Sequence, residues 1–432
     1  MSQKGRKNME QHLRILVVLP LYGGSLPIGR YCASALGELG HMVDVFEAPA
    51  FHEAHAALRG LRVAEDRMEQ LENSFVNLLG QAIYARVEHF EPDLVLALAQ
   101  APMSRQLLQR LRREGVPSAM WFVEDYRVFS YWRVFAPLYD FFFVIQKEPF
   151  LSLLKEAGVP HAMYLPLAAL PGFHRKVELT PEQRREYGAD LSFLGAGYPN
   201  RRVAFRTLLR RDFKIWGSDW EGDELLAPRV QRRGARISAE ESVLVYNAAK
   251  INLNLHSSLG ADKLVSGGDF VNPRTFELAA MGAFQLVDRR ELMPELFRLD
   301  GDDAELSVFS SPEEMEAAID FYLAHPEARE EIARRSRERV LAEHTYQQRM
   351  EALLGFIRSL RPDWPCPRAE HGWPEGMSGG MQEELTSLLT RLGLPNSASF
   401  DEVIARLRNQ SGELESLEAG LLFLDEWRKQ YS

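Results

Sequence analysis

The segment at residues 269–288, DFVNPRTFELAAMGAFQLVD, places a cation at the end of a predicted helix that normally repels one. Asn272 is a favourable N-cap and Pro273 fits the first helical position, so Arg274 falls in the first turn, beside the positive pole of the helix dipole. That position costs about 0.3 to 1 kcal/mol unless an anion is bound. With a phosphate present, the guanidinium becomes a charge-assisted, potentially bidentate donor. Glu277 follows on the same helix face, where its carboxylate could accept hydrogen bonds from ribose hydroxyls.

The flanking sequence places this helix at a sheet edge that is suited to ligands. The apolar segment INLNLH precedes it, and the segment AFQLVD follows Gly282 as the next predicted strand. A helix N-terminus at the carboxyl edge of a parallel sheet is the usual ligand site of open α/β folds. The pattern predicts a nucleoside diphosphate site, with Thr275 as a further candidate donor ligand. The alternative is an exposed ion pair between Arg274 and Glu277, which contributes only about 0.2 to 0.5 kcal/mol.

Two glycine-containing loops also follow predicted strands. Gly23 and Gly24 come after the opening strand, RILVVLP, and would let a ligand approach the backbone, although a tight turn explains them equally well. In FLGAGYPNRR, Gly195 and Gly197 follow a strand and Arg201 opens a helix. This second loop is therefore a candidate for another anion cradle.

The second loop also permits a dinucleotide-binding interpretation. Gly195 and Gly197 fit the first two glycines of the fingerprint, and Asp219 lies about 24 residues further on, past the next strand. Asn200 occupies the position of the third glycine, where a side chain would strain close packing of the helix. A dehydrogenase is accordingly the weaker alternative.

Candidate catalytic groups come from two further strand ends. Glu124 and Asp125 end the predicted strand in WFVED, and either carboxylate could act as a general base toward an acceptor hydroxyl. The alternative is that they cap the following segment or pair with Arg127. His256, at the end of INLNLH, is a candidate donor to a sugar or phosphate, and the alternative there is a structural histidine whose ring is already satisfied.

Length, composition and net charge restrict the classes of protein to which this chain could belong. The chain has 432 residues, of which 46% are hydrophobic, so two domains of ordinary size and a remainder are expected. A net charge of -10 argues against nucleic-acid binding. The two cysteines, Cys32 and Cys366, have no metal-ligand spacing. The N-terminus is polar, and no apolar run reaches membrane-spanning length. A cytoplasmic protein is therefore predicted, and peripheral membrane contact is left open.

Alternating strand and helix patterns predict an α/β fold with two doubly wound domains that face each other across a cleft. The first domain is predicted at residues 12–170, a proline-containing linker at 171–188 and the second domain at 189–361. Residues 362–432 are predicted to form a Pro/Gly-rich spacer and a small helical tail. The amphipathic pattern of the tail favours a packing face over a docking surface, although an oligomer or partner contact is the alternative.

Five segments together resemble a known family. YGADLSFLGAGYPNRR, FKIWGSDW, KINLNLHSS, NPRTFELAAMGAFQLVD and EHTYQQRM occur in the order and spacing of CgeB-type glycosyltransferases, a spore-maturation group within the GT-B superfamily. The resemblance covers roughly residues 14–360 and is most specific in the second domain. It implies two Rossmann-like domains, with a nucleotide-sugar donor held mainly by the second and an acceptor held mainly by the first.

The resemblance also implies roles for individual residues. Related retaining enzymes carry two acidic residues separated by seven, the earlier near the donor sugar and the later at the ribose. Asp269 and Glu277 have that spacing, with aspartate in place of the usual glutamate. Arg274 and Arg201 would then bind the diphosphate, in agreement with the helix argument. Because fixed cations and helix termini can stabilise the leaving group, neither a metal nor another cofactor is expected.

Three functions are compatible with these features. The leading hypothesis is a retaining glycosyltransferase that uses a UDP- or GDP-linked sugar and an unknown acceptor, which could be a protein, a glycan or a small molecule. The alternatives are a sugar-nucleotide epimerase of the same fold and a non-catalytic binding or scaffold protein that recruits partners through its helical tail.

Overall fold

The computed structural model describes residues 12–257, 268–366, 373, 376–394, 396, 398–408, 410 and 412–431. Most of the predicted polar N-terminus, part of the predicted spacer and the last residue of the segment KINLNLHSS lie outside these ranges. The described chain forms two parallel sheets with helices packed on them, followed by a small group of helices. The predicted α/β fold with two doubly wound sheets is thus confirmed.

The first sheet has six parallel strands. They are β1 (Arg14–Val18), β2 (Met42–Phe46), β3 (Leu94–Leu98), β4 (Ser118–Phe122), β5 (Phe141–Val144) and β6 (Ala162–Tyr164). Their spatial order is β2-β1-β3-β4-β5-β6. The helices of this domain are α1 (Ser25–Glu38), α2 (His52–Arg59), α3 (Glu65–Phe90), α4 (Arg105–Arg113), α5 (Trp132–Phe135) and α6 (Phe150–Glu156). Strands β1, β3, β4 and β5 are buried throughout, as expected for a parallel sheet that is covered on both faces.

The second sheet has five parallel strands. They are β7 (Ala189–Leu194), β8 (Phe213–Trp216), β9 (Ala249–Asn254), β10 (Gln285–Asp288) and β11 (Ser307–Phe309), in the order β11-β10-β9-β7-β8. The helices of this domain are α7 (Pro181–Tyr187), α8 (Pro199–Phe205), α9 (Ala239–Ala248), α10 (Pro273–Met281), α11 (Pro312–Ala324) and α12 (Pro326–Glu343). The loop between β9 and α10 leads from the carboxyl edge of this sheet to the predicted site.

Helix α13 (Tyr346–Leu360) returns to the first domain. It packs against α1, and Met350 and Ile357 share a core cluster with Cys32 of that helix. Just beyond α13, the Trp364 indole N–H donates to the carbonyl of Asp93 at 2.8 Å. By packing, α13 therefore belongs with the first domain, whereas the predicted boundaries place it in the second. An amphipathic pattern shows that a helix has an apolar face but not which domain covers that face.

Two local predictions differ from the structure for identifiable reasons. The polar stretch at about residues 54–87, whose pattern predicts a helical segment, forms two helices, α2 and α3, which are separated by residues 60–64. The predicted linker contains α7, which begins with a capping box between Thr180 and Gln183 and has Pro181 in its first turn. Proline at that position is a helix start signal as well as a loop signal.

The C-terminal tail contains α14 (Gly379–Leu392), α15 (Phe400–Arg408) and α16 (Ser416–Tyr431). These helices share a small apolar cluster that includes Leu389, Val403 and Leu407. A helical tail is therefore present. The predicted oligomer or partner contact of the tail remains a prediction.

Candidate functional site

Helix α10 has the end signals that the sequence predicts. The Asn272 side-chain oxygen accepts from the Thr275 backbone N–H at 3.0 Å, Pro273 occupies the first turn, and Gly282 ends the helix in the left-handed conformation. The Thr275 hydroxyl accepts a hydrogen bond from Asn254 at 2.9 Å and donates to Asn272 at 3.1 Å. Thr275 is fully buried in this network, which holds the helix start against the end of β9.

Arg274 lies partly buried on the first turn of α10. Its Nε donates to the Tyr246 hydroxyl at 2.6 Å, which leaves four of its five N–H donors without a hydrogen bond among the described residues. Burial opposes the charge, but Tyr246 and Glu277 favour it, and the net effect raises the pKa of Arg274. The guanidinium is therefore a fixed cation with donors to spare.

Glu277 is a nearly enclosed carboxyl group on the same helix, with 17% of its side chain exposed. Burial raises its pKa to about 7, although the charge of Arg274 opposes the shift. The two side chains form no ion pair with each other, so the alternative of an exposed pair does not hold. The nearest basic group to the Glu277 carboxylate is His174 Nε2, at 3.8 Å. Burial lowers the pKa of His174 to about 3, which keeps that ring neutral.

Arg201 supplies a second buried cation near the first. Its Nε and Nη2 donate to the carbonyl of Leu255 at 3.1 and 2.6 Å, and its Nη1 donates to the carbonyl of Ala196 at 2.9 Å. Burial, and next the charge of Arg274, lower the pKa of Arg201 to about 9. Neither arginine forms an ion pair with any described residue. A buried and a partly buried guanidinium group that repel each other favour an anion as their missing partner.

The loop at Gly195 and Gly197 is not the anion cradle that the sequence predicts. The Gly195 and Gly197 N–H groups donate to the carbonyls of Trp216 and Ser218, at 2.9 and 3.0 Å. A Cβ atom on Gly197 would lie 2.2 Å from the carbonyl oxygen of Asp219. The N–H groups of both glycines are therefore used within the protein, and Gly197 is explained by close packing against the chain after β8. Of this loop and helix, Arg201 remains the candidate ligand.

A first prediction follows from this close packing. Gly197→Ala forces the backbone at residue 219 to move, so we expect it to destabilise the protein by about 1 to 3 kcal/mol. Gly37→Ala, in α1 and with open space around the added methyl group, is the matched control and should be neutral or stabilising. Urea unfolding midpoints would measure both changes. Equal midpoints for the two variants would contradict the packing explanation.

His256 has both ring nitrogens bonded to protein groups. Nδ1 lies 2.6 Å from the Asp288 carboxylate, and Nε2 accepts from the Asn272 N–H at 2.9 Å. Burial lowers the pKa of His256 against the opposing effect of Asp288. The ring is thus a neutral connector that fixes the N-cap of α10. This geometry favours the structural alternative over the predicted contact with a sugar or phosphate.

Asp269 links the two domains. Its Oδ1 accepts from Gln146 Nε2 of the first domain at 2.8 Å and from the Phe270 N–H at 2.9 Å. Its Oδ2 is buried without a hydrogen bond, and Arg127 Nη2 lies 3.6 Å away. A buried carboxylate oxygen without a donor is costly, so a ligand hydroxyl at this atom would be favourable.

The two candidate acids of the first domain, Glu124 and Asp125, differ in whether both of their carboxylate oxygens accept hydrogen bonds. Glu124 accepts hydrogen bonds from Gln100 Nε2 and, at 2.9 Å, from the Tyr131 hydroxyl, while burial raises its pKa. Asp125 Oδ1 accepts from the Arg127 N–H at 2.9 Å, which is the local capping contact given above as the alternative, and from Gln146 at 3.3 Å. No described residue bonds its second oxygen. Asp125 is therefore the freer carboxylate.

The glycines after β1 lie on the same side of the first domain. Gly23 has a φ of +101°, and a Cβ atom there would lie 3.6 Å from the Gln100 side-chain oxygen. Gly24 precedes α1 with open space around it. The left-handed conformation explains Gly23 as a turn residue, as the alternative stated.

The structure groups the predicted residues in two ways. One group lies near the start of α10 and contains Arg274, Arg201 and Glu277. The other contains Asp269 and Asp125, which both accept hydrogen bonds from Gln146. The sequence analysis did not identify Tyr246, Gln146 or His174. Gln146 carried a weak signal, because a polar side chain follows the apolar strand in FFFVIQ, whereas Tyr246 and His174 have none.

Comparisons with known proteins agree with this arrangement. Residues 200–355 match the family described as glycosyl transferase-like. Sucrose-phosphate synthase from Thermosynechococcus elongatus is 13% identical, with a TM-score of 0.54 over 81% of this chain and 99% of that chain. HepE from Anabaena, in complex with UDP and glucose, is 10% identical, with a TM-score of 0.55 over 81% of this chain and 100% of that chain. The chain has the GT-B fold.

The sequence relative points the same way. The spore protein CgeB of Bacillus subtilis (strain 168) is 23% identical over 273 residues, which cover 61% of this chain and 82% of CgeB. The resemblance to CgeB-type glycosyltransferases is confirmed. The match at residues 200–355 contains Arg201, His256, Asp269, Arg274 and Glu277 of this GT-B chain.

Membrane-spanning helices and metal-binding clusters are both absent from the residues that the structure describes. None of the helices in those ranges has the length and apolar character to cross a membrane. The same residues contain no group of three or more His, Cys, Asp or Glu side chains that could hold a metal ion.

Proposed function

We propose that this protein is a glycosyltransferase that takes its sugar from a UDP- or GDP-linked donor bound at the start of α10. The observation that carries the proposal is the pair of arginines, the buried Arg201 and the partly buried Arg274, which lack anionic partners among the described residues. The match to a glycosyl transferase-like family over the same residues supports it. So does the GT-B fold that the chain shares with HepE, which is in complex with UDP and glucose.

The donor groups have distinct proposed contacts. Arg274 has four free N–H donors and Arg201 has two, which suit the oxygens of a diphosphate, and the start of α10 adds its dipole. Glu277 accepts from the ribose hydroxyls. Asp269 accepts from the donor sugar through Oδ2, the oxygen that has no hydrogen bond within the described chain.

The reaction breaks the bond between the anomeric carbon and a phosphate oxygen, and the electron pair stays on the diphosphate. A new bond forms from the anomeric carbon to the acceptor hydroxyl oxygen, whose proton passes to a base. Asp125, in the first domain, is the proposed base because one of its oxygens is free, and Glu124 is the alternative. We propose that the sugar keeps its anomeric configuration.

No metal is required in this proposal. Charge develops on the diphosphate as the sugar leaves, and two preorganised guanidinium groups in a water-poor site stabilise that charge. Addition of a chelator should therefore leave the transfer rate unchanged.

A nucleotide panel tests the proposal. We expect one of UDP, GDP and related diphosphates to raise the melting temperature, since a ligand at about 100 times its Kd adds about 2.7 kcal/mol. Analysis of the products formed from the matching nucleotide sugar without acceptor then separates a transferase from an epimerase, because only an epimerase converts the donor sugar alone. The absence of a shift with every nucleotide would contradict the proposal.

A further inference from the structure

The side chain of Gln146 is fully buried where the two domains meet and uses all of its donors. It lies two residues beyond β5, at the carboxyl edge of the first sheet. Its Oε1 accepts from the Tyr126 N–H at 3.0 Å. Its Nε2 donates to Asp269 Oδ1 at 2.8 Å and to Asp125 Oδ1 at 3.3 Å. One neutral amide thus joins the acceptor-side loop to the donor-side loop.

We propose that Gln146 is a positioning residue that orients Asp269 toward the donor sugar and ties that orientation to the loop carrying Asp125. The inference rests on the proposed function. It adds a determinant of sugar binding that lies in the opposite domain from the nucleotide site.

The chemistry of the amide explains why this position suits glutamine. The NH₂ group can donate to two carboxylates at once, while the carbonyl accepts from a backbone N–H. An apolar side chain of similar size would remove one of the two donors to each of Asp269 Oδ1 and Asp125 Oδ1 and would leave the Tyr126 N–H without its acceptor, which is costly. An ionised glutamate would bring a third carboxylate to the same point and could donate to neither neighbour.

The orientation of Asp269 depends on this contact. Its Oδ1 is held by Gln146 and by the Phe270 N–H, and this leaves Oδ2 as the buried oxygen that has no hydrogen-bond donor. Arg127 Nη2, 3.6 Å from Oδ2, is beyond hydrogen-bond distance. Without the amide donor, Oδ1 keeps only the Phe270 N–H, and the carboxylate can shift to pair fully with Arg127. Sugar binding would then have to break that pair.

The variant Gln146→Glu distinguishes a positioning role of Gln146 from a purely structural one. A protonated glutamic acid keeps one donor and one acceptor, whereas its ionised form keeps no donor. Charged and titratable groups surround the residue at position 146. From the first domain these are Asp125 and Arg127 after β4, Lys147 after β5 and Tyr164 in β6, and from the second domain Asp269 before α10, Arg290 after β10 and Glu295, which pairs with Lys147. Burial and the two aspartates favour the protonated form at low pH. In this variant, the extra affinity due to the sugar should therefore be present at low pH and lost as the pH rises.

The experiment compares the wild type with Gln146→Glu, Gln146→Leu and the control Gln183→Glu, a half-buried capping position in α7. Calorimetry measures, from pH 5.5 to 8.5, the affinity for UDP and for UDP-glucose, or for the nucleotide and its sugar that bind in the panel above. We expect nucleotide affinity to change less than about twofold, while the extra affinity due to the sugar falls about tenfold or more in Gln146→Leu. Gln146→Glu should lose this extra affinity for the sugar only toward high pH. Gln183→Glu should have the same affinities as the wild type.

Two results would overturn the inference and leave the proposed function intact. One is an equal loss of affinity for the nucleotide and the nucleotide sugar in the Gln146 variants. The other is a pH profile of Gln146→Glu that parallels that of the wild type while nucleotide still binds. If no nucleotide binds the wild type, the proposed function fails and this inference fails with it.

Discussion

Arg274→Ala is expected to weaken nucleoside diphosphate binding by at least about thirtyfold, because removing a charge-assisted partner costs about 2 to 5 kcal/mol. The unliganded variant should keep a melting temperature close to that of the wild type. In the wild type, the Arg274 side chain is a partly buried cation that forms no ion pair with the described residues, and its charge lowers the pKa of Arg201. Its removal relieves that repulsion but also removes the favourable interactions with Tyr246 and Glu277, so binding should fall while the stability of the apo protein changes little.

The measurement is a melting curve with and without saturating UDP or GDP. Arg274→Lys, which keeps the charge but not the planar fork of donors, should retain part of the nucleotide-induced shift. Arg236→Ala removes an exposed arginine of the same domain and serves as the matched control. An Arg274→Ala protein that shows the full nucleotide shift would remove this residue from the donor site.

Glu277→Gln is expected to make the stability of the unliganded protein less dependent on pH. Burial raises the folded-state pKa of Glu277 from its ordinary value of 4.5 to about 7. A group with a raised folded-state pKa contributes stability that is fully present below the unfolded pKa and is lost as the pH rises through the folded pKa. Relative to the variant, the wild type should therefore lose about 3 kcal/mol between pH 4.5 and pH 8.

Urea unfolding at several pH values measures this difference, with the exposed Glu178→Gln as the control. The same substitution should weaken donor binding about tenfold above pH 7, because a neutral amide forms weaker hydrogen bonds with ribose hydroxyls than a carboxylate does. A parallel pH dependence of stability in wild type and Glu277→Gln would show that this carboxyl group is not the buried titrating group.

The predictability of the site differs from residue to residue. The start of α10 was predictable because the N-cap, proline and C-cap glycine act over a few neighbouring residues. The internal use of the Gly195 and Gly197 N–H groups was not, because it depends on chain about 20 residues further along. The occupied ring of His256 likewise depends on Asp288, a residue of another strand.

The sequence by itself determined the alternation of strands and helices, the two α/β domains and the placement of Arg274 and Glu277 on one face of a capped helix. These features follow from periodicity and short-range chemistry, which the order of residues encodes directly. Only the tertiary structure decided that α13 packs on the first domain and that Gln146 bridges Asp125 and Asp269. Such contacts join residues that are distant in the chain, and they depend on the packing of whole domains.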